Sequence, residues 1–361
     1  MSLKIAVLGG GNGSYAAAAD FVEAGHEVRW WRRRSADFQG VRDNDGIDLI
    51  DHAGTRTVPV TTTDDLALAL DGAQLIVAPT PAFAQEDLAR RLAPLVADGQ
   101  VIYLPPGTFG SWMMMKIMRD AGCSADVSVA ETGTLPWLCR KQGDAAVRIT
   151  TRASSLPTGV MPARNTAHAI ALISEAFPAE IGALDDALSG ALMNAGPIIH
   201  PPLILMNAGP IEHFDRWDIH NEGTQPAIRA VHAALDGERM AIREALGYAG
   251  PHFPLDDHYN TSNWMYGNLA HDKLVGSGDW HEKLNLHDHR YMSEDVGLGL
   301  AFLVSVGEWA GVPCPVAAGL LAIASAASGT DFRAGPRTMA ALGLAEVPVA
   351  ELQAQLRDGI A

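Results

Sequence analysis

Two near-identical octets, MNAGPIIH at 193 to 200 and MNAGPIEH at 206 to 213, each end in histidine. An imidazole gives and takes a proton near neutral pH, so His200 and His213 are both candidates for general acid-base chemistry. Their settings differ. His200 is surrounded by Ile198, Ile199, Pro201, Pro202 and Leu203, whereas His213 lies in EHFDRWD, the composition of a solvated or ion-paired surface. On one continuous helix the shift between the octets would turn His213 by about 220° from His200, at about 100° per residue, so the two would not share a face. Pro201 and Pro202 disfavour helical backbone at His200 and predict a kink or a new helix start there. His200 is the better candidate, set against the ordinary role of a histidine satisfied in an apolar core.

A second chemical signal lies at the N-terminus, where KIAVL runs into GGGNGS and then a helix beginning near Tyr15. With Gly9 as the first residue after the strand, the stretch reads G-x-G-x-x-S over Gly9, Gly11 and Ser14. A rival register over Gly11, Gly13 and Ala16 also fits. In a dinucleotide-binding turn the first glycine permits the sharp bend, the second admits a pyrophosphate, and the third position needs a small residue. The first register is preferred, and Gly9, Gly11, Asn12, Gly13 and Ser14 are the expected cofactor contacts, with N–H groups at the helix start holding the phosphates. Pro81, after the strand AQLIVAP, joins them. The residue that binds the adenosine ribose sits about 20 positions further on and is acidic when the cofactor is NAD. Here it is Arg32, followed by Arg33 and Arg34, with no acid between Glu27 and Asp37. Guanidinium forks suit a 2′-phosphate, so NADP(H) is expected ahead of NAD(H), against the plainer reading of a solvated cationic turn. Asn194 either lies near the nicotinamide or substrate or caps a helix end before Gly196 and Pro197.

These residues need elements to hold them. The runs KIAVL, HEVRWW, TVPV, AQLIVAP, QVIYLPP and DVSVAE alternate with helical stretches such as YAAAADFVEAG and EDLARRLAPLVADG, the rhythm of βαβ units and a parallel sheet. From about Asp185 the pattern is helical, with Val296, Leu300, Leu303 and Val306 on one face, and no convincing strands follow. The expected architecture is therefore an α/β Rossmann-type dinucleotide-binding domain over 1–184 and an all-α substrate and catalytic domain over 185–361. That division suits a chain of 361 residues. Its 26 basic and 42 acidic side chains give a formal charge of −16, which argues against nucleic acid. With neither a signal segment nor a membrane-length apolar run, a cytoplasmic protein is expected. Cys123, Cys139 and Cys314 form neither a disulfide framework nor a zinc pattern. His281, His287 and His289 lack the partners a metal site requires, so no metal is expected.

The strings AVLGGGNGSYAA, PGTFG, AETGTLPWLCR, NAGPIIHPPLILMNAG, RYMSEDVGLGL and GTDFRAGPRTMAALGL, in this order and spacing, resemble the opine dehydrogenase family, the octopine/nopaline dehydrogenase group, over nearly the whole chain. The resemblance implies an enzyme that joins an amino acid to a 2-oxo acid and reduces the imine with NAD(P)H. It implies a catalytic pair of His200 and Asp295, in which the carboxylate fixes the imidazole tautomer. Asp295 also reads as a helix-start acid, since Ser293-Glu294-Asp295 precedes a helix near Val296, where an acid would favour the dipole. The resemblance places Arg290 five residues before the aspartate as a clamp for a substrate carboxylate, and Glu131 and Thr132 as weaker substrate contacts in the cleft between domains. The segment DDHYNTSNWMYGNLAHDKLVGSGDW has no residue-by-residue match and is expected to shape amino-acid specificity, with Trp264, Tyr266 and Trp280 as pocket walls or packing. The partners implied are these small substrates, with a homodimer as the assembly left open. The alternatives are a related dehydrogenase of a hydroxyacid or glycerol phosphate, and a non-catalytic NADP sensor.

Overall fold

The structure is a computed structural model that describes residues 2–360 apart from Ser262, Asn268, Leu269, Asp279 and Glu282. It forms two compact units, Met1–Gly190 with Leu356–Ala361, and Ala191–Gln355.

The first unit is built on a seven-stranded sheet. Its strands are β1 (Lys4–Leu8), β2 (Glu27–Trp31), β5 (Thr61–Thr63), β6 (Leu75–Val77), β7 (Val101–Leu104), β8 (Ser128–Thr132) and β11 (Thr158–Met161), in the order β11-β8-β7-β6-β1-β2-β5. All pairings are parallel except β11 with β8. The central runs are continuously apolar because both faces are covered: Ile5 to Leu8, Leu75 to Val77 and Val101 to Leu104 are all buried. β1 feeds through the glycine turn into helix α1 (Asn12–Glu23).

Two sequence expectations change here. TVPV is not a strand of this sheet. Thr57 and Val58 end β4 (Gly54–Val58) of another sheet, Pro59 has no N–H to continue the ladder, and the parallel edge strand is the polar Thr61–Thr63. The second sheet itself, four strands in the order β4-β3-β10-β9, was not expected; it adds β3 (Ile47–Asp51), β9 (Trp137–Lys141) and β10 (Ala146–Arg152).

The second unit is helical, as expected. Its helices include Gly196–Met206, Ala208–His213, Pro226–Ala245, Ala270–Ser277, Ala301–Ala310 and Pro315–Ser328, with a π-helix over Tyr291–Leu300. No new helix starts at His200: Pro201 and Pro202 lie inside the Gly196–Met206 helix. Each proline deletes one backbone donor. One carbonyl of this stretch is bonded from outside, since His232 Nε2 lies 2.9 Å from the Ile199 oxygen. The partner element is the π-helix, and glycines let the two approach. A methyl group on Gly299 would overlap the Pro197 ring, and one on Gly196 would overlap the Asp295 carboxylate. Val296, Leu300, Leu303 and Val306 are all buried.

Candidate active site

The glycine turn of the first unit has the local geometry a dinucleotide needs. Gly9 directly follows β1 and has φ +118°, a conformation that a side chain disfavours. Gly11 caps α1 in extended backbone, and a Cβ built on it would meet nothing within 4 Å. Ser14 is fully buried, its hydroxyl 2.9 Å from the Cβ position of Gly9, so the third position is tight and must be small. Thr80 closes the same spot, its methyl 3.0 Å from that Cβ position. The Ser14 and Thr80 hydroxyls are buried and have no hydrogen-bond partner among the described residues. An open second glycine beside two unsatisfied buried donors fits a bound diphosphate. Gly13 packs its Cα face on Leu135 and Pro79, and Asn12 accepts the Lys141 N–H at 3.0 Å, so these two hold the turn in shape. Pro81 starts a short helical turn, Ala82–Ala84, beside Thr80.

At the end of β2 the arginines diverge. Arg32 lies along the turn, its Nε 2.7 Å from the Cβ position of Gly10, and it bonds the Asp37 carbonyl. Arg33 and Arg34 are 62% and 78% exposed, with Asp87 at 3.9 Å and Asp37 at 2.9 Å respectively.

In the second unit His200 and Asp295, far apart in sequence, meet. His200 Nδ1 is 3.1 Å from Asp295 Oδ2; the approach is off the line of a straight hydrogen bond, and among the described residues neither atom has another hydrogen-bond partner. The carboxylate accepts only, so a proton on Nδ1 leaves the Nε2 lone pair for chemistry. The His200 side chain retains 21% exposure. Tyr291 stacks on the imidazole, centroids 3.7 Å apart and planes 12° apart, and His220 meets it edge-on at 5.9 Å. Sequence reasoning missed both. Tyr291 carries a legible signal, four positions before Asp295 and so on the same side of a helix. His220 carries none.

Asp295 does not start a helix. The helix Tyr291–Leu300 begins four residues before it, and the acid in its first turn is Glu294. Arg290 precedes that helix and pairs with Glu294, Nη2 to Oε2 3.0 Å, while keeping 58% exposure. Asn194 accepts the Gly196 N–H at 3.1 Å, so it shapes the start of the His200 helix rather than the end of the previous one. Glu131 is fully buried. Its carboxylate accepts the Phe109 N–H at 2.9 Å and the Ser111 N–H at 3.2 Å, at the start of the helix Gly110–Asp120. Thr132, also buried, donates to the Pro157 carbonyl at 2.7 Å. These bonds give Glu131 and Thr132 a structural role within their own unit.

Other histidines are committed elsewhere: His281 Nε2 to Asp218 at 2.5 Å, His287 to Glu212 at 3.7 Å, and His289 Nδ1 accepting the Tyr291 N–H at 3.2 Å. Among the described residues no cluster of three His, Cys, Asp or Glu side chains forms a metal site. His213 lies exposed at the end of Ala208–His213. In the unmatched segment Trp264 is buried edge-on to His258 and Trp280 lies edge-on to His220, at 5.6 and 6.3 Å; Ser262, Asn268, Leu269 and Asp279 fall outside the described residues. Among the described residues no helix is long and apolar enough to cross a membrane.

A glycine turn after β1, a mainly parallel sheet and a helical unit carrying a His–Asp pair define a two-unit nicotinamide-dependent dehydrogenase. Residues 183–328 match the model of the NAD/NADP octopine/nopaline dehydrogenase alpha-helical domain, and 4–107 that of the NAD-dependent glycerol-3-phosphate dehydrogenase N-terminus. Along nearly its whole length the chain is similar to the opine dehydrogenases, NAD(P)-dependent oxidoreductases acting on CH–NH groups. It is 29% identical over 362 residues to the opine dehydrogenase of Arthrobacter sp. (strain 1C), covering 98% of both chains. Its fold is similar to octopine dehydrogenase solved in complex with NADH and agmatine (TM-score 0.74, 20% identity, 100% of this chain and 99% of that one). It is also similar to yersinopine dehydrogenase with NADP+ bound (TM-score 0.66, 17% identity, 99% of both). The glycerol-phosphate family match is confined to the nucleotide unit, which leaves that alternative without support from the helical one.

Proposed function

We propose that this chain condenses the amino group of an amino acid with the carbonyl of a 2-oxo acid and reduces the imine with NADPH, giving a secondary amine dicarboxylate. The carrying observation is the 3.1 Å approach of His200 Nδ1 to Asp295 Oδ2 inside the matched helical unit. In this reading His200 Nε2 takes the proton that the nitrogen sheds as it adds to the carbonyl. It delivers that proton to the former carbonyl oxygen to give a carbinolamine, and after taking a second proton from solvent it protonates the hydroxyl, which leaves as water as the nitrogen lone pair forms the iminium. Asp295 steadies the imidazolium in between, and such acid-base help contributes about 10² to 10⁴ in rate. Arg290, more than half exposed, binds a substrate carboxylate through its planar fork. Asn194 and Gly196 set the backbone against which Asp295 rests. The nicotinamide, when bound, supplies the hydride.

Arg33 and Arg34 support the choice of NADPH, since their exposed guanidinium groups replace the ribose-binding acid of an NAD enzyme. The reading includes a cytoplasmic location and a homodimer, the latter checked by sedimentation. Its test is NADPH oxidation over a grid of amino acids and 2-oxo acids, with the product weighed by mass spectrometry. Turnover that needs both substrates supports it; oxidation with a 2-oxo acid alone points to a hydroxyacid dehydrogenase, and binding without turnover on any pair points to a sensor.

A further inference from the structure

We propose that Lys141, on β9, is a further cofactor-specificity residue that contacts the ribose 2′-phosphate of NADP(H) from the side opposite the β2 arginines; this rests on the NADP reading above. The focus is Tyr15, buried in the first turn of α1. Lys141 Nζ sits 4.2 Å from its ring centroid, and Arg32 Nη1 lies 3.4 Å from its hydroxyl. Two cations from different strands thus converge on one side chain beside the glycine turn. The convergence is built into the backbone. The Lys141 N–H is bonded to Asn12 Oδ1 at 3.0 Å, next to the open Gly11, and the Tyr15 hydroxyl donates to the Asp144 carbonyl at 2.8 Å, fastening the β9–β10 hairpin to α1.

Charge accounting points the same way. Asp37 serves Arg34 at 2.9 Å and Arg32 at 3.8 Å, and Asp87 lies 3.9 Å from Arg33. Among the described residues no carboxylate lies within ion-pair distance of Lys141, whose ammonium rests only on the Tyr15 ring. A phosphomonoester carries about two negative charges near neutral pH, so it attracts this ammonium more strongly than a neutral phenol ring does. Lysine brings a mobile point charge on a flexible stem, where arginine brings a fixed fork, so Lys141 can move from the ring to the phosphate. NADH lacks that phosphate and gains nothing from the move.

The test measures dissociation constants by nucleotide fluorescence or calorimetry for NADPH, NADH, 2′,5′-ADP and 5′-AMP. It uses the full chain as wild type, Lys141→Gln and Lys141→Arg, with thermal midpoints recorded for each. Lys141→Gln is expected to weaken NADPH and 2′,5′-ADP about tenfold, the scale of one charge-assisted hydrogen bond. NADH and 5′-AMP should stay within about twofold, and Lys141→Arg should restore most of the loss. Equal weakening of all ligands, or no weakening, overturns the assignment to Lys141. If the wild type prefers NADPH and Lys141→Gln leaves that preference intact, only the Lys141 inference fails. If the wild type binds NADH as tightly as NADPH, the NADP reading fails and this inference with it.

Discussion

The proposed chemistry depends on a few tenths of an ångström around Asp295. Its carboxylate reaches His200 at 3.1 Å because Gly196, in the His200 helix, has no side chain to hold it off. Asp295→Asn keeps the shape but offers the imidazole an amide in place of a charge. The expected loss in kcat is about 10² to 10⁴, with little change in thermal midpoint. Turnover within a few-fold of wild type would remove the pair from the mechanism. Gly196→Ala leaves both functional groups intact and pushes them apart, so kcat should fall while the affinity for NADPH, held by the other unit, is retained; a matching loss in both would mean general misfolding. His200 was legible in the sequence from its apolar neighbours, whereas Asp295 was reachable only through resemblance, because pairing across that separation leaves no local trace. The backbone bonds of Glu131 escaped for the reverse reason. A buried carboxylate that accepts backbone N–H groups looks, in sequence, like any acid at the end of a strand.

Elements were legible wherever burial on both faces left an unbroken apolar run, as in KIAVL and VIYL. The second sheet escaped because its strands carry only short or interrupted apolar runs: in β3 Ile47 and Leu49 are buried with Asp48 between them, and β10 buries only Val147 and Ile149. The helix through Pro201 and Pro202 ran against local propensity, and packing decided it. Gly299 belongs to that packing, facing the Pro197 ring at the contact with the π-helix. Gly299→Ala is expected to cost about 1 to 3 kcal/mol in denaturant unfolding, the usual penalty for overfilling a tight contact. Gly237 makes the opposite case. It lies inside the helix Pro226–Ala245, and a Cβ there would meet nothing within 4 Å. Gly237→Ala should therefore stabilise by about 0.5 to 1 kcal/mol, through helix propensity and a less flexible unfolded chain. Should the two alanines act alike, close helix contact is not what constrains Gly299.

For the molecule as a whole, the two units should respond differently to acid. The helical unit buries histidines that stay neutral when folded: desolvation lowers His232 to about 4 and His258 to about 3, from an ordinary value near 6.5. His232 is further held by the Tyr259 hydroxyl at 3.0 Å, and His258 is packed edge-on against Trp264 and His271. Because the folded values are depressed, the unfolded chain takes up protons first as pH falls below about 6.5, and each group then costs about 1.4 kcal/mol of stability per pH unit. That loss continues until the folded group itself titrates, near 4 for His232 and near 3 for His258. In the nucleotide unit, Asp48 and Asp51 are held below the usual carboxylate range, chiefly by Thr57 and Arg56, so their contribution is lost only below about pH 4. Hydrogen exchange at pH 5 compared with pH 7 should therefore show accelerated global opening in residues 191–355 and much less in the nucleotide unit. His258→Phe should remove about one proton's worth of that slope even if it shifts stability at pH 7. An unchanged slope would mean that His258 titrates normally in the folded protein, and that its burial carries no electrostatic cost.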